Sequence, residues 1–388
     1  MIDTIVLTLT NDSFTIADPN KFTPPARWIN GIHEFSGVPS KQNPQKREMR
    51  SGIYKPYLTL SPRPTSPGTI EPMLKIELSL PKFFYGNNFD ELQYKDFKPL
   101  IAKLQKVLCE MGVQTTIENL AQASVSAIHY SKNIPLTDGS TPYHYIQKIR
   151  EAHVKWALDV NMRDYRNEGH CFKWHCNAYE VLFYDKIKDL EKAKQSSKRA
   201  TEKDSTLQLN LLDAFKKRKK FEVLRMEVRL NKRQKIKQLF NALNINTDLT
   251  FKKLFKPALS KKVLLHYLDE IANQRTVLLD YKKFSLESLI AALITSNPRL
   301  SLSRLFRLLG LKFALDLTTW RELQNMIPRY GSRSWYYLKA DIKNVTLPSV
   351  DHSFGFLRHS LLQFSNMNIL TFIEETHEQS KSKRTKRI

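Results

Sequence analysis

Residues 222–231 read EVLRMEVRLN, and this short stretch restricts the fold more than any other. Leu224, Met226, Val228 and Leu230 alternate with Arg225, Glu227, Arg229 and Asn231. Period two is the signature of a strand, whose successive side chains point to opposite faces. One face is apolar and the other is charged, so the strand belongs to a sheet with one buried and one polar side, as in antiparallel sheets. The pattern recurs at 74–80, with Leu74, Ile76, Leu78 and Leu80 on one face and Lys75, Glu77 and Ser79 on the other. In EVLFYDKI (180–187), Val181, Phe183 and Ile187 share one side, and Glu180, Tyr184 and Lys186 share the other.

Between these strands the period changes. KDFKPLIAKLQKVLCEMGV (95–113) has helical spacing and stops at Gly112, which predicts a helix with Cys109 in its core. TPYHYIQKIREAHVKWALDV (141–160) reads as a second helix, opened by Thr141 and Pro142. Strand, helix, strand, strand, helix predicts an α+β fold: an antiparallel sheet with helices packed on it. The charged, glycine-free segment 186–220 reads as exposed helix with a solvated middle. Beyond residue 232 the pattern is mainly helical, and 301–342 has a helix–turn–helix rhythm that suits a small DNA-binding unit but is shared by many plain bundles. The expected division is therefore an α+β domain over 1–235, a helical domain over 236–370 and a disordered basic tail over 371–388.

Bulk properties narrow the function classes. No apolar run reaches the ~18 residues of a membrane span. The opening MIDTIVLTLTND carries Asp3 where a signal peptide has its basic region, and it alternates like a strand. Cys109, Cys171 and Cys176 are an odd count that suggests no disulfide framework. A cytoplasmic protein is the expectation. The 62 Lys and Arg against 38 Asp and Glu give a net charge of +24. Such an excess favours a polyanionic partner, DNA or RNA first, because neutralising phosphates releases counterions.

The strands also gather chemistry. If 74–80, 180–187 and 224–230 are neighbours, a tyrosine, carboxylates and several cations converge on one surface. That set suits phosphoryl chemistry: an attacking oxygen, acids to hold a divalent metal, and cations to stabilise phosphate charge. Lys186 and Arg225 are the cations that would favour a phenolate at Tyr184. The competing reading is a wet polar face carrying ordinary charge pairs. GHCFKWHC (169–176) crowds soft ligand types, but on a strand Cys171 and His175 lie ~13 Å apart, so no zinc site is expected there. The phosphate-cradling pattern GxxxxGK is absent.

Seven ordered blocks, KQNPQK, GIYKPYLTL, LKIELSLPKFFYGNNFDEL, AIHYSKNI, YRNEGHCFKWH, YEVLFYDKIKDLE and FEVLRMEVRLNKR, resemble the gene II/gene X type replication initiators of filamentous phages and related plasmids. The likeness covers roughly residues 1–270. It implies a rolling-circle initiator of the bacterial host cytoplasm, which nicks one strand of a double-stranded origin through a 5′-phosphotyrosine and later rejoins single-stranded DNA. Host helicase and polymerase are the implied protein partners. On this resemblance Tyr184 is the nucleophile, in the motif Tyr184-Asp185-Lys186. Glu227 with His129 or Glu77 would hold Mg²⁺ or Mn²⁺, while Lys186, Arg225 and Arg229 would stabilise the transition state. His129 stands where relatives often carry an acid. The basic runs KKRKK and NKRQKIK would grip backbone. The alternative is a non-enzymatic DNA-binding regulator; an RNA-binding structural protein ranks third.

Overall fold

The computed structural model describes the chain except residues 30–31, 35–37, 46–47, 49–52, 67–68, 137–138, 151–161, 190–221, 274–285, 319–322, 324, 328–330, 346, 348–352 and 368–388. The expected helical segment 186–220, with its KKRKK run, lies almost wholly outside the described residues, as do residues 151–160 of the second expected helix and the tail 371–388.

The strands are β1 (Ile2–Thr10), β2 (Thr15–Ile16), β3 (Arg27–Ile29), β4 (Ile32–Glu34), β5 (Ser40–Gln42), β6 (Tyr57–Ser66) and β7 (Thr69–Ser79), followed by β8 (Val113–Gln114), β9 (Ser124–Leu136), β10 (Met162–Arg166), β11 (Cys171–His175), β12 (Tyr179–Asp185) and β13 (Glu222–Leu230). One antiparallel sheet has the order β10-β11-β12-β13-β9-β1-β7-β6-β5. The fold is α+β. The longest strand, β9, lies at the middle, between β13 and β1.

Alternation sorts this sheet as the sequence implies. Ile5, Leu7, Leu74, Ile76, Leu78, Ile128, Tyr130, Met226 and Val228 form a fully buried face. Helices α1 (Leu80–Tyr85), α2 (Phe97–Glu110), α3 (Ile117–Gln122) and α4 (Pro142–Arg150) follow in the first part of the chain. α1 packs on β1 and β7, and α2 packs on α3. Leu80 does not continue the strand: Pro81 fits a first helical turn, so Leu80 opens α1 and stays buried. Cys109 also departs from expectation. Leu100, Ile101, Leu104 and Leu108 take the buried positions of α2, which leaves Cys109 one residue out of phase and exposed.

The C-terminal helices are α5 (Arg233–Ala242), α6 (Phe251–Leu254), α7 (Pro257–Asn273), α8 (Leu286–Ser296), α9 (Leu302–Leu317), α10 (Ser332–Lys343) and α11 (Ser353–Gln363). The chain divides into two compact units, one comprising Met1–Ile146, Asp159–Leu265 and Leu361–Ile388, the other Gln147–Leu158 and His266–Ser360. The boundary expected at 235 falls inside the first unit, because α5 packs on β9 and β13. The second unit has its own core, which includes Leu289, Leu293, Leu305, Leu308, Trp335 and Ile342. Among the described residues no helix is long and apolar enough to cross a membrane.

Gly112 ends α2 in a left-handed conformation, φ +84°. Its carbonyl accepts from the Ala17 N–H at 2.8 Å, and a Cβ at this position would stand 2.8 Å from the Asp18 Cβ. Gly112→Ala is expected to cost roughly 2 kcal/mol or more, combining the left-handed penalty with that clash; urea unfolding measures it, and an unchanged midpoint would contradict this account.

Candidate functional site

On the polar face of the sheet, register brings the charged residues into rows. Glu180 of β12 is opposite Arg229 of β13, which is opposite His129 of β9, which is opposite Thr4 of β1. One row along, Leu182, Glu227 and Ser131 are aligned, and the next row holds Cys171, Tyr184, Arg225 and Asn133. Three of these strands supply the cluster because their polar positions share parity; β1 contributes by an irregularity. Its register on β9 shifts between Ile2 and Thr4, so Asp3 is an extra residue. A bulge of this kind re-aims a side chain, and here it turns Asp3 toward Arg225 although its parity is that of Ile5 and Leu7.

Arg225 is 2 % exposed and is held by four hydrogen bonds. Its Nη2 donates to Asp3 Oδ1 at 2.6 Å and Ser131 Oγ at 2.9 Å; its Nη1 donates to the Asn88 carbonyl at 2.9 Å and Asn133 Oδ1 at 3.0 Å. Its Nε has no hydrogen-bond acceptor and faces Glu227 Oε2 at 3.8 Å. The same oxygen accepts from the Tyr184 hydroxyl at 3.3 Å. The other Glu227 oxygen accepts from Arg229 Nε at 2.8 Å and lies 3.8 Å from His129 Nδ1. His129 Nε2 lies 3.2 Å from Asn231 Oδ1. Arg229 also pairs with Glu180 at 3.2 Å and is half-buried.

A loop closes the other end. Lys186, 1 % exposed, donates to Asn88 Oδ1 at 2.7 Å, with its Nζ 5.3 Å from the Phe89 ring centre and 5.9 Å from that of Tyr184. Asn133 Nδ2 donates to the Phe89 carbonyl at 2.9 Å. Glu91 takes the place a neighbouring strand would have beside β9: its Oε1 accepts from the Asn133 N–H at 2.7 Å, and its Oε2 from Lys132 and from the Met367 N–H at 3.1 Å. This loop is stiffened locally, since Asn87 Oδ1 accepts from the N–H groups of Phe89 and Asp90, both at 2.9 Å.

Burial and charge pull the titrations apart. Burial pushes the Tyr184 phenol well above its ordinary value; Glu227 adds to this and Arg225 opposes it. Burial, then Arg225, pulls Lys186 well below its ordinary value. Burial also lowers His129 and so favours the neutral ring, against the opposing pull of Glu227. For Asp3 burial acts upward, but Arg225 and Lys186 outweigh it and hold the carboxyl well below the usual range. Glu227 is likewise lowered, burial being outweighed chiefly by Arg229 with Arg225 and His129. A protonated phenol donating to an ionised carboxylate is therefore the resting arrangement.

Of the residues singled out in the sequence, Tyr184, Lys186, Arg225, Glu227, Arg229 and His129 come together. Glu77 does not: it is exposed on β7, where it pairs with Val6, three strands from Glu227. At ~4.8 Å per strand and ~3.3 Å per residue, that places it roughly 20 Å away. Nor are Arg225 and Lys186 on a wet face; both are committed to protein acceptors. Sequence reading missed Asp3, Asn88, Glu91, Ser131 and Asn133. The run Ser131-Lys132-Asn133 inside a strand was a signal, because consecutive polar residues there must be satisfied from both faces. Asp3 gave none beyond being an acid among apolar residues. The Cys171–His175 segment is an extended strand, with Phe172 and Trp174 buried.

No family model matches this chain, and neither a curated protein nor a solved structure is similar to it. The donor set for a divalent cation must therefore be judged on geometry. Among the described residues no group of three His, Cys, Asp or Glu side chains is arranged to hold one. Two donors come close. With its proton on Nε2 facing Asn231, His129 presents a bare Nδ1 to Glu227 Oε1; their 3.8 Å separation exceeds the ~3.0 Å between adjacent ligands each ~2.1 Å from an octahedral ion, so the pair would have to close by about 0.8 Å to share one. Mg²⁺ commonly takes one or two protein ligands and fills the rest with water and phosphate oxygens.

Two outcomes follow from this network. Arg225→Met leaves Asp3 buried without its partner and should cost about 3–5 kcal/mol, read from chemical denaturation; a loss below about 1 kcal/mol would show that the network contributes little. Asp3, whose folded pKa is depressed, contributes stability that is full above the unfolded value near 3.8 and is lost as pH falls toward the folded one. Asp3→Asn should therefore flatten the fall of unfolding free energy below about pH 5, whatever its effect at neutrality. A slope equal to that of the parent would rule out this linkage.

Proposed function

We propose that the chain is a DNA nicking and rejoining enzyme of the rolling-circle initiator type, with Tyr184 as nucleophile. The carrying observation is the hydrogen bond from the Tyr184 hydroxyl to Glu227, in a row beside His129 and Arg229. In this reading the phenol oxygen attacks phosphorus while its proton passes to Glu227 Oε2. The P–O3′ bond breaks, the leaving oxygen takes a proton from solvent water to become a 3′-hydroxyl, and the 5′-phosphate stays on Tyr184. The reverse attack by a 3′-hydroxyl reseals the strand, so no nucleotide cofactor is needed.

The raised phenol pKa defines what the site must supply: charge that makes proton loss easier as the new bond forms. Arg225 provides a fixed positive field beside the hydroxyl; because its other donors are occupied, it acts on the tyrosine without gripping the substrate. Arg229, half-buried at the open end, is the cation placed to meet a phosphate oxygen. Lys186 holds the 88–89 loop against the tyrosine. When bound, a Mg²⁺ or Mn²⁺ ion held by Glu227 and His129 would supply charge neutralisation at the phosphate oxygens. The +24 charge favours a nucleic-acid substrate, and the NKRQKIK run at the start of α5 is a basic surface for backbone.

A second reading has its own support. Arg225, Lys186 and Glu227 are each at most 2 % exposed, as expected of a polar network that only holds a sheet together. The protein would then be a DNA-binding regulator. Supercoiled DNA containing the coding region and its flanks, incubated with the protein and Mg²⁺ or Mn²⁺, separates the two. The parent is expected to give nicked circles and a denaturant-resistant protein–DNA adduct; Tyr184→Phe should give neither while still retarding DNA in a gel. Equal nicking by Tyr184→Phe would refute the nucleophile, and retardation without nicking by the parent would establish the regulator.

A further inference from the structure

Helix α9 carries two apolar faces. Leu305, Leu308, Leu309 and Leu311 are buried in the core of the second unit. Leu302, Phe306, Phe313 and Leu317 are 69, 65, 55 and 90 % exposed. At about 100° per residue these four fall within an arc of ~60°, turned roughly 120° from the middle of the buried face. A helix on the surface of a monomer needs one apolar stripe, and a second marks an interaction surface.

The exposed stripe is symmetric along the chain. Residues 302 and 317, and likewise 306 and 313, lie equally far from the point between Leu309 and Gly310. We propose that this stripe is the contact face of a homodimer, in which α9 packs antiparallel on α9 of a second copy about a two-fold axis at that point. An isologous interface must be self-complementary, and here the operation sets Leu302 on the partner's Leu317 and Phe306 on the partner's Phe313. Gly310, at the axis, is exposed, and a Cβ there would meet nothing within 4 Å, so the helix surface is bare where two backbones approach most closely.

Area and charge favour a second copy over nucleic acid. The four side chains offer on the order of 500 Å² per copy, or about 1,000 Å² for the pair, the lower bound for a specific interface. The stripe contains no Lys or Arg, whereas a helix bound to nucleic acid needs cations against phosphates. The nearby Arg304 and Arg307 both pair with Asp341, at 3.1 and 3.5 Å, which reduces the repulsion a strongly basic chain meets on self-association.

This proposal stands apart from the nicking reading, and its test involves no DNA. Sedimentation of the full chain over a range of concentrations should show a species of twice the monomer mass. The double variant Phe306→Glu, Phe313→Glu should sediment at half that mass, with unchanged circular dichroism. Register is read by disulfide formation: a mixture of Leu302→Cys and Leu317→Cys chains should cross-link, and Leu302→Cys alone should not, because its two copies would lie ~22 Å apart at 1.5 Å per residue. The chain with only its native cysteines is the control. A parent that is monomeric throughout, or a dimer indifferent to both glutamates, overturns the proposal; cross-linking of Leu302→Cys alone as efficient as the mixture overturns the antiparallel arrangement.

Discussion

A guanidinium that is 2 % exposed at the centre of a sheet governs much of this protein. Arg225 cannot shed its charge, so burying it requires an anion and a full set of acceptors. Asp3 supplies the anion through a bulge; Ser131, Asn133 and the Asn88 carbonyl supply the rest. These groups come from β1, β9 and the loop after α1, so one side chain ties three separate stretches to β13. The position of the loop carrying Asn88, and through it of Lys186, depends on that arginine being satisfied.

The network divides into a closed part and an open part. Around Arg225, Lys186 and Glu91 nearly every donor has a protein acceptor, and this region is architecture. Toward Arg229, His129 and Glu180 the side chains are half-buried and the pairings looser, with 3.8 Å between His129 Nδ1 and Glu227 Oε1. Glu227 stands at the border, with one oxygen facing each part. Tyr184 bonds to it there, so its titration is set by the closed part and its access by the open one. A half-buried tyrosine beside a carboxylate is a poor nucleophile at rest, and the chemistry proposed for it depends on positive charge beside the hydroxyl, which Arg225 supplies and a bound divalent cation would add to.

Much of the sheet was legible because its period is two. The alternation in EVLRMEVRL placed Arg225, Glu227 and Arg229 on one face of β13, and the same rule put Glu180 and Tyr184 beside them. Helical phase was legible too, although one residue of error moved Cys109 from surface to core. Periodicity failed where the chain breaks its own rhythm. Asp3 shares the parity of Ile5 and Leu7, and only the shift in pairing between Ile2 and Thr4 turns it to the polar face. Glu77 shows the converse: it has the right parity and residue type, on a strand three places from the cluster.

The sequence by itself determined an α+β sheet with one charged face, and the residue types that face presents, because side-chain direction along a strand is a local property. Which charges meet, and which are dry, was decided by tertiary structure alone. Strand order sets the distance between rows, the bulge at Asp3 sets its direction, and the 87–91 loop covers one end of the cluster and leaves the other open. Those are relations between segments far apart in the chain, and no local pattern encodes them.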